Sequence, residues 1–284
     1  MKDFAGRVAV VTGAASGMGL AFAHRFAEEG MNVVLADIES EPLAMAESAL
    51  KAKGANVLAV RTDVSAEDAM NRLADAAFST FGNVHVLCNN AGVAATAATL
   101  RAYAWEGPLS DWEWTLGVNF MGALYGVRAF VPRMLENGDE GHVVNTASMA
   151  GLLSGANPYN VSKHGVVCLT EGMYRDFKAM GSKLSASVLC PGLIRTAILD
   201  AERNRPQQLG ATDVSQLRAE VKEWSAAFSA ALSQGIEPDE VAQMVFESVR
   251  DDHFYIFPCQ PGVLETVNRR MTDIIEARNP TVSV

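Results

Sequence analysis

The sequence predicts an α/β fold in which helices cover both faces of a single seven-stranded parallel sheet, the doubly wound arrangement. Short runs of β-branched residues alternate along the chain with longer segments of helical period, and this alternation is typical of repeated βαβ units. Each short run is apolar almost throughout, as expected for strands that are buried on both faces. No linker rich in Pro, Gly or Ser divides the sequence, so residues 1–284 are predicted to form one domain.

The apolar runs define the predicted strands. In chain order these strands are Val8–Val11, Asn32–Ala36, Val57–Arg61, Val84–Asn89, His142–Thr146, Ser185–Cys190 and Phe254–Phe257. Helical segments join the first six strands, and each is long enough to cross over the sheet. The predicted helices are Gly17–Glu29, Glu41–Lys53, Ala66–Phe81, Asp111–Glu136 and Pro158–Met180.

The regular alternation stops after the sixth predicted strand. About sixty residues separate that strand from the seventh, which is more than a simple crossover needs. They contain a polar stretch and two amphipathic stretches, Asp200–Gly210, Asp213–Leu232 and Asp239–Arg250. Because open α/β sheets bind ligands at the carboxyl ends of their strands, we expect residues 193–235 to form a helical lid over a substrate.

Charge and composition exclude several classes of partner. The 23 basic and 33 acidic residues give a net charge of −10, and no cluster of Lys and Arg offsets it, so neither nucleic acid nor a membrane is an expected partner. No apolar run reaches the ~18 residues of a membrane span and the N-terminus lacks the apolar segment of a secretion signal, which predicts a cytoplasmic protein. The four cysteines lie far apart, and no metal site is expected.

A glycine-rich turn follows the first predicted strand and leads into the first helix. Its sequence is Thr12-Gly13-Ala14-Ala15-Ser16-Gly17-Met18-Gly19. Glycines permit a tight turn, and the helix N-terminus behind it favours anions. We therefore expect Gly13, Ser16, Gly17, Met18 and Gly19 to hold a pyrophosphate, although a plain connection between a strand and a helix can also contain glycines.

Asp37 ends the second predicted strand, 24 residues after Gly13. This is near the ~20-residue spacing at which an acidic side chain accepts hydrogen bonds from an adenosine ribose. The same carboxylate would repel the 2′-phosphate of NADP, so the expected cofactor is NAD. No compensating cation is visible, because Ile38 follows Asp37 and Ser16 precedes Gly17. The alternative is that Asp37 caps the turn or helix that follows it.

Tyr159 and Lys163 lie one turn apart at the start of the predicted helix Pro158–Met180, so both are on one helix face. A nearby ammonium favours the phenolate and would lower the pKa of the tyrosine, which would allow proton exchange nearer neutral pH. Ser148 follows the fifth predicted strand, where its hydroxyl could contact a substrate oxygen or cap a helix. A tyrosine and a lysine four residues apart are also common on solvated helices.

Together these motifs resemble the short-chain dehydrogenase/reductase family, whose members are Rossmann-fold oxidoreductases that bind NAD or NADP. The resemblance covers nearly the whole chain. It implies that Tyr159 is the general acid/base, that Ser148 positions the substrate oxygen, and that Lys163 lowers the pKa of the tyrosine and binds the nicotinamide ribose. From the resemblance alone comes a fourth catalytic residue, Asn119, which would help to anchor a water beside the lysine.

The resemblance also adds residues that contact the cofactor. It places Asp63 and Val64 beside the adenine. The remaining positions are Asn90, Ala91, Gly92, Tyr159, Lys163, Pro191, Gly192, Ile194 and Thr196, the last four on the nicotinamide side.

The expected function is hydride transfer between NAD(H) and a secondary alcohol or ketone. The segments Val93–Leu100 and Met149–Leu153 are small and apolar, which favours a hydrophobic substrate. The resemblance further implies a homodimer or homotetramer built on the helices Asp111–Glu136 and Pro158–Met180. Three alternatives stay open: an NAD-binding sensor or regulatory protein without turnover, an NADP-dependent carbonyl reductase, and an isomerase or dehydratase that uses bound NAD transiently.

Some conspicuous side chains near the predicted site allow two interpretations each. Tyr103 and the tryptophans at positions 105, 112 and 114 could wall a substrate pocket or pack in the core. Arg195, Arg203 and Arg205 could bind an acidic substrate, but we expect solvated side chains.

Overall fold

The computed structural model describes residues 1–94, 100–101, 103–211 and 219–281. Within these ranges a single parallel sheet has the strand order β3-β2-β1-β4-β5-β6-β7. The strands are β1 Val8–Thr12, β2 Asn32–Asp37, β3 Val57–Arg61, β4 Val86–Asn89, β5 Gly141–Thr146, β6 Leu184–Leu189 and β7 Tyr255–Ile256. The predicted fold class, a doubly wound seven-stranded parallel sheet, is confirmed.

Helices cover both faces of the sheet. They are α1 Gly17–Glu28, α2 Ser40–Ala52, α3 Glu67–Phe81, α4 Leu109–Leu116, α5 Gly122–Asn137, α6 Pro158–Ala179, α7 Ala219–Ser233, α8 Pro238–Asp251 and α9 Val263–Ile275. Buried side chains of α1, α2 and α8 pack on one face of the sheet, and those of α3, α5 and α6 pack on the other. The five inner strands are almost wholly buried between these layers, which explains their continuous apolar sequence. The edge strands β3 and β7 are partly exposed.

The helix predicted over Asp111–Glu136 is divided in the structure. Helix α4 ends at Leu116, a π-helical turn spans Gly117–Met121, and α5 follows. A π-helical turn inserts an extra residue into the helix and is frequently associated with a functional site. The periodicity of the sequence does not reveal this insertion, because the apolar pattern continues on either side of it.

The segment after β6 differs most from the prediction. The polar stretch around Asp200–Gly210 forms two short 3₁₀ helices, Ile198–Asn204 and Gln207–Leu209. The first of the predicted amphipathic stretches is helical from Ala219, and its residues 213–218 lie outside the described part of the chain. Helix α9 was not predicted.

The described residues contain no helix with the length and apolar character of a membrane span. Nor does that part of the chain bring together three His, Cys, Asp or Glu side chains in a way that could hold a metal ion. The four cysteines are free thiols.

Candidate active site

A cleft of about 920 Å³ opens along the carboxyl ends of the strands. The strand order reverses between β1 and β4, and in open α/β sheets ligands bind at such a reversal. Every cofactor-binding residue predicted from the sequence lines this cleft except Gly19, and every predicted catalytic residue does so except Asn119. Residues that are far apart in the sequence therefore meet in one site.

The glycine-rich turn forms a cradle between β1 and α1. Gly13 has a φ of +65°, and a Cβ there would lie 2.9 Å from the Cα of Ala91. A Cβ on Gly17 would lie 3.2 Å from Cγ2 of Thr196, and one on Gly19 would overlap the carbonyl oxygen of Gly13. Gly19 therefore allows the first turn of α1 to pack closely against the carbonyl of Gly13. Gly13 and Gly17 keep space open beside the helix N-terminus, and this space fits a pyrophosphate.

Asp37 lies at the end of β2 with its carboxylate held by two backbone groups. Its Oδ2 accepts a hydrogen bond from the N–H of Ala15 at 2.9 Å, and its Oδ1 accepts one from the N–H of Glu39 at 3.0 Å. The carboxylate thus caps the turn that follows, as the alternative interpretation proposed. Each carboxylate oxygen can accept a further bond, and Asp37 lines the cleft, so contact with a ribose remains compatible with this capping role.

The ends of β1 and β4 are joined by a small network around Thr12. Its hydroxyl oxygen accepts hydrogen bonds from the backbone N–H groups of Asn90 at 3.0 Å and Ala91 at 3.1 Å. The side-chain amide of Asn90 donates to the carbonyl oxygen of Thr12 at 3.0 Å. These bonds hold the Asn90-Ala91-Gly92 segment against the glycine-rich turn and thereby fix one wall of the cleft.

Ser148 caps the 3₁₀ turn Met149–Gly151 and also faces the cleft. Its hydroxyl oxygen accepts a hydrogen bond from the N–H of Ala150 at 3.1 Å and its hydroxyl donates to the carbonyl of Pro191 at 3.3 Å. The Ser148 side chain also acts to lower the pKa of Tyr159, which lines the same cleft. Ser148 is therefore a cap that also lines the cleft, and its contact with a substrate oxygen stays a prediction.

Tyr159 and Lys163 extend from the first turns of α6. Asn157 caps this helix by accepting a hydrogen bond from the N–H of Asn160 at 2.9 Å, and Pro158 occupies the first helical position, a favoured arrangement for starting a helix. The ammonium of Lys163 lies 5.8 Å from the centre of the Tyr159 ring. The Tyr159–Lys163 pair is therefore held on the rigid first turns of a well-capped helix.

The protonation of these two residues differs from the expectation. Burial raises the pKa of Tyr159 above its ordinary value, and the hydrogen bond with Ser148 only partly opposes this rise. Burial also lowers the pKa of Lys163, from 10.5 to about 8. The expected lowering of the tyrosine pKa is therefore wrong in this structure, because burial raises it. The ammonium of Lys163 donates a hydrogen bond to the carbonyl of Thr146 at 2.8 Å.

Asn119 lies in the π-helical turn behind the cleft and is 2% exposed. Its Oδ1 accepts a hydrogen bond from the N–H of Val93 at 2.8 Å, and its Nδ2 donates to the carbonyl of Val93 at 3.0 Å and to the hydroxyl of Ser162 at 3.1 Å. The side chain thus links the segment that follows β4 to helix α6, at the residue before Lys163. In this structure Asn119 supports the site and does not line it.

The substrate side of the cleft is strongly apolar and aromatic. Trp114 is 5% exposed and forms part of the wall. Tyr103 and Trp105 stack at 5.0 Å, and Trp224 and Phe228 of α7 stack at 4.8 Å on the same cleft. The α7 pair was not predicted, although two aromatic residues four positions apart on a helix share a face. Of the rim Val93–Leu100, residues 95–99 lie outside the described residues.

Arg195, Arg203 and Arg205, which follow β6, all form ion pairs with carboxylates of the chain. Their partners are Glu237 for Arg195, Glu39 for Arg203 and Asp111 for Arg205. The expectation of a solvated side chain is wrong for Arg205, which is 3% exposed and lies 2.8 Å from an Asp111 that is 2% exposed. Trp114 packs beneath the guanidinium of Arg205, so this pair anchors the segment after β6 to α4.

Open parallel sheets with this strand order bind dinucleotides where the order reverses, and the cleft lies at that point with a cradle for a pyrophosphate. The protein is therefore a Rossmann-fold nucleotide-binding protein. Comparison with known proteins is more specific, because residues 7–207 match the family described as short chain dehydrogenase. The chain belongs to this family of oxidoreductases, as its motifs indicated.

Individual relatives share most of the chain. A short-chain dehydrogenase/reductase from Burkholderia phymatum, solved in complex with NAD, is 44% identical with a TM-score of 0.92, covering 100% of this chain and 99% of that one. The 1-deoxy-11-beta-hydroxypentalenate dehydrogenase of Streptomyces exfoliatus is 36% identical over 253 residues, covering 88% of this chain and 82% of the relative. A metagenomic short-chain oxidoreductase in complex with NADP is 25% identical with a TM-score of 0.68, covering 91% and 97% of the two chains.

Proposed function

We propose that this protein transfers a hydride between NAD(H) and a hydrophobic secondary alcohol or ketone, with Tyr159 as general acid/base. One observation carries the proposal. The side chains of Tyr159 and Ser148 and the buried Lys163 line the same cleft as the glycine cradle and Asp37. Proton-transferring groups are thus placed beside the space that fits a dinucleotide.

The chain's own residues would move the proton. NAD supplies the carbon that accepts or donates the hydride. In ketone reduction the Tyr159 hydroxyl donates its proton to the carbonyl oxygen, while the Ser148 hydroxyl holds that oxygen by a hydrogen bond. In alcohol oxidation Tyr159 acts in reverse as a phenolate and accepts the hydroxyl proton. The raised pKa keeps Tyr159 protonated at neutral pH, which suits the reductive direction.

Lys163 and Asn119 have supporting roles in this proposal. The ammonium of Lys163 would donate a hydrogen bond to the nicotinamide ribose. Asn119 holds the wall beside this lysine through its bonds to Val93 and Ser162, where it would help to anchor a relay water. The other cofactor contacts are those predicted from the sequence, from the glycine turn to Thr196.

NAD is the proposed cofactor in preference to NADP. Asp37 would accept hydrogen bonds from both adenosine ribose hydroxyls and would repel a 2′-phosphate. The Burkholderia phymatum relative bound to NAD supports this choice, whereas the more distant metagenomic relative was solved with NADP. We expect a preference of at least ~10-fold in kcat/KM, because ~1.4 kcal/mol of differential binding is enough for that ratio.

The proposed substrate is hydrophobic because of the walls around Tyr159. Trp114 and the stacked pair of Trp224 and Phe228 line the space available to it. The Streptomyces relative is named as a dehydrogenase of a hydroxypentalenate. We further propose a single domain with a substrate lid over residues 193–235, of which residues 212–218 lie outside the described part of the chain.

The test is a single-turnover assay with NAD and a panel of secondary alcohols, and with NADH and the matching ketones. Formation or loss of NADH absorbance with a hydrophobic substrate supports the proposal, and the same assay with Tyr159→Phe provides the control. Binding of NAD without turnover of any substrate would favour the sensor alternative.

A further inference from the structure

An ion pair bridges two distant segments of the chain at the ribose end of the cleft. Nε and Nη2 of Arg203 donate to the two carboxylate oxygens of Glu39 at 2.9 and 2.8 Å. Nη1 of the same guanidinium donates to the carbonyl of Asp200 at 2.9 Å. Glu39 follows β2, whereas Arg203 belongs to the segment after β6, and both line the cleft.

The pair lies beside Asp37, the residue proposed to hold the adenosine ribose. The N–H of Glu39 donates to Oδ1 of Asp37 at 3.0 Å, so the two carboxylates are fixed two residues apart on one turn. The hydrogen bond to Glu39 is the main cause that raises the pKa of Arg203, and the charge of Asp37 adds to it. Two anionic groups and one cation therefore meet at this end of the cleft.

Arg203 is a cation that the sequence could not place beside Asp37. A guanidinium binds a phosphate through paired N–H donors in the same geometry that it uses for a carboxylate. In this structure Glu39 occupies that pair of donors. If Glu39 lost its charge, Arg203 would become available to a 2′-phosphate at the ribose, and the turn would also carry one negative charge fewer.

We propose that Glu39 is a second specificity-determining residue that discriminates against NADP by holding Arg203 in this bidentate ion pair. The inference rests on the proposed use of NAD at this site. It goes beyond the role of Asp37, because it assigns the discrimination to two side chains, one of which belongs to the lid.

The test compares four proteins by equilibrium titration with NAD and with NADP, followed by quenching of tryptophan fluorescence. These are the parent, Glu39→Gln, the double variant Glu39→Gln/Arg203→Gln, and the control Glu237→Gln. The control removes the carboxylate that pairs with another lid arginine, in the exposed ion pair Arg195–Glu237, and neither of these residues lines this cleft. Glutamine preserves the shape of each replaced glutamate and removes the positive charge at Arg203, and circular dichroism verifies folding.

We expect Glu39→Gln to lower the Kd for NADP by about 10-fold, equivalent to ~1.4 kcal/mol, while the Kd for NAD changes less than about twofold. The double variant should lose most of that gain, because the cation is gone, and the control should match the parent. If the parent binds NADP too weakly for its Kd to be measured, a lower bound on that Kd is sufficient, because the proposal requires only that Glu39→Gln has a lower Kd for NADP than the parent.

An equal effect of Glu39→Gln on both cofactors would overturn the proposal, because it would show that the ion pair only latches the lid. A gain that persists in the double variant would also overturn it, since Arg203 would not be the group that binds the phosphate. These failures leave NAD binding by the parent intact. A parent that binds neither dinucleotide would instead refute the proposed function itself.

Discussion

Replacing Lys163 by methionine should make the protein more stable and inactive. The ammonium of Lys163 is 2% exposed and its hydrogen bond goes to the carbonyl of Thr146. No ion pair joins it to a carboxylate among the described residues. A buried charge without a counter-charge is costly, so this residue is expected to reduce stability in exchange for its role in the site. Methionine retains the length of the side chain without the charge.

The magnitude follows from the pKa of Lys163. Its fall from 10.5 to about 8 means that the folded protein binds the proton less tightly than the unfolded chain does. At pH 7, where both states are protonated, this difference costs about 3 kcal/mol. Loss of the bond to Thr146 costs the variant about 1 to 2 kcal/mol. We therefore expect Lys163→Met to be more stable than the parent by about 1 to 2 kcal/mol at pH 7.

The advantage of the variant should disappear as the pH rises. Between about pH 8 and 10.5 the folded parent has released the proton of Lys163 while the unfolded chain still binds it, so the parent gains stability with rising pH. By pH 9.5 the cost of the buried charge has fallen to less than half of its value at pH 7. The difference between variant and parent should therefore shrink by about 2 kcal/mol from pH 7 to 9.5.

Urea unfolding, followed by tryptophan fluorescence at equal protein concentrations, measures both quantities. Lys183→Met is a matched control, because Lys183 also donates to a backbone carbonyl, that of Gly138 at 2.9 Å, but is exposed. Its stability should change by no more than about 0.5 kcal/mol at either pH. A Lys163→Met protein that is less stable than the parent at pH 7, or whose difference does not depend on pH, would refute the reasoning.

Three further outcomes are expected. Tyr159→Phe should lower kcat by ~10²–10⁴-fold and leave the Kd for NAD nearly unchanged. In the parent the high tyrosine pKa should make the rate of alcohol oxidation rise with pH, and this rise should be absent in the variant. Turnover within a few-fold of the parent would exclude Tyr159 as the acid/base. Asp37→Ala combined with Ile38→Arg should narrow or reverse the preference for NAD in kcat/KM, and a parent that prefers NADP would contradict this view of Asp37. Light scattering should show a dimer or tetramer, and a monomer at micromolar concentration would refute an assembly through α5 and α6.

The fold and most of the cleft could be predicted because their signals are local. Strand Val57–Arg61 has the predicted bounds, since a buried parallel strand needs only a short apolar run. Tyr159 and Lys163 share a face because both lie on α6, whose start is marked by Asn157 and Pro158. Parallel strands then bring these local motifs to one edge of the sheet without any further information from the sequence.

The partners of the charged side chains could not be predicted in this way. Arg203 pairs with Glu39 across 164 positions of the chain, and Arg205 pairs with Asp111 after the segment that follows β6 packs against α4. Nothing in the sequence near either arginine indicates its partner, because the pairing depends on how the segment after β6 packs on the rest of the fold. The prediction of a lowered tyrosine pKa was wrong for a related reason. It used the Tyr159–Lys163 spacing, which is local, whereas the burial that raises the pKa depends on the whole fold.

Asn119 shows how local sequence motifs and the packing of the whole fold combine at the site. Its side chain holds both the N–H and the carbonyl of Val93, which fixes the preceding Gly92 close to Lys163. A Cβ on Gly92 would lie 3.3 Å from Nζ of Lys163 and 3.4 Å from Oδ1 of Asn119, tighter than ordinary packing allows without a shift. The close approach of Gly92 and the bond to the carbonyl of Thr146 thus restrict the position of the buried ammonium. The burial that makes this lysine costly therefore also helps to keep it beside Tyr159.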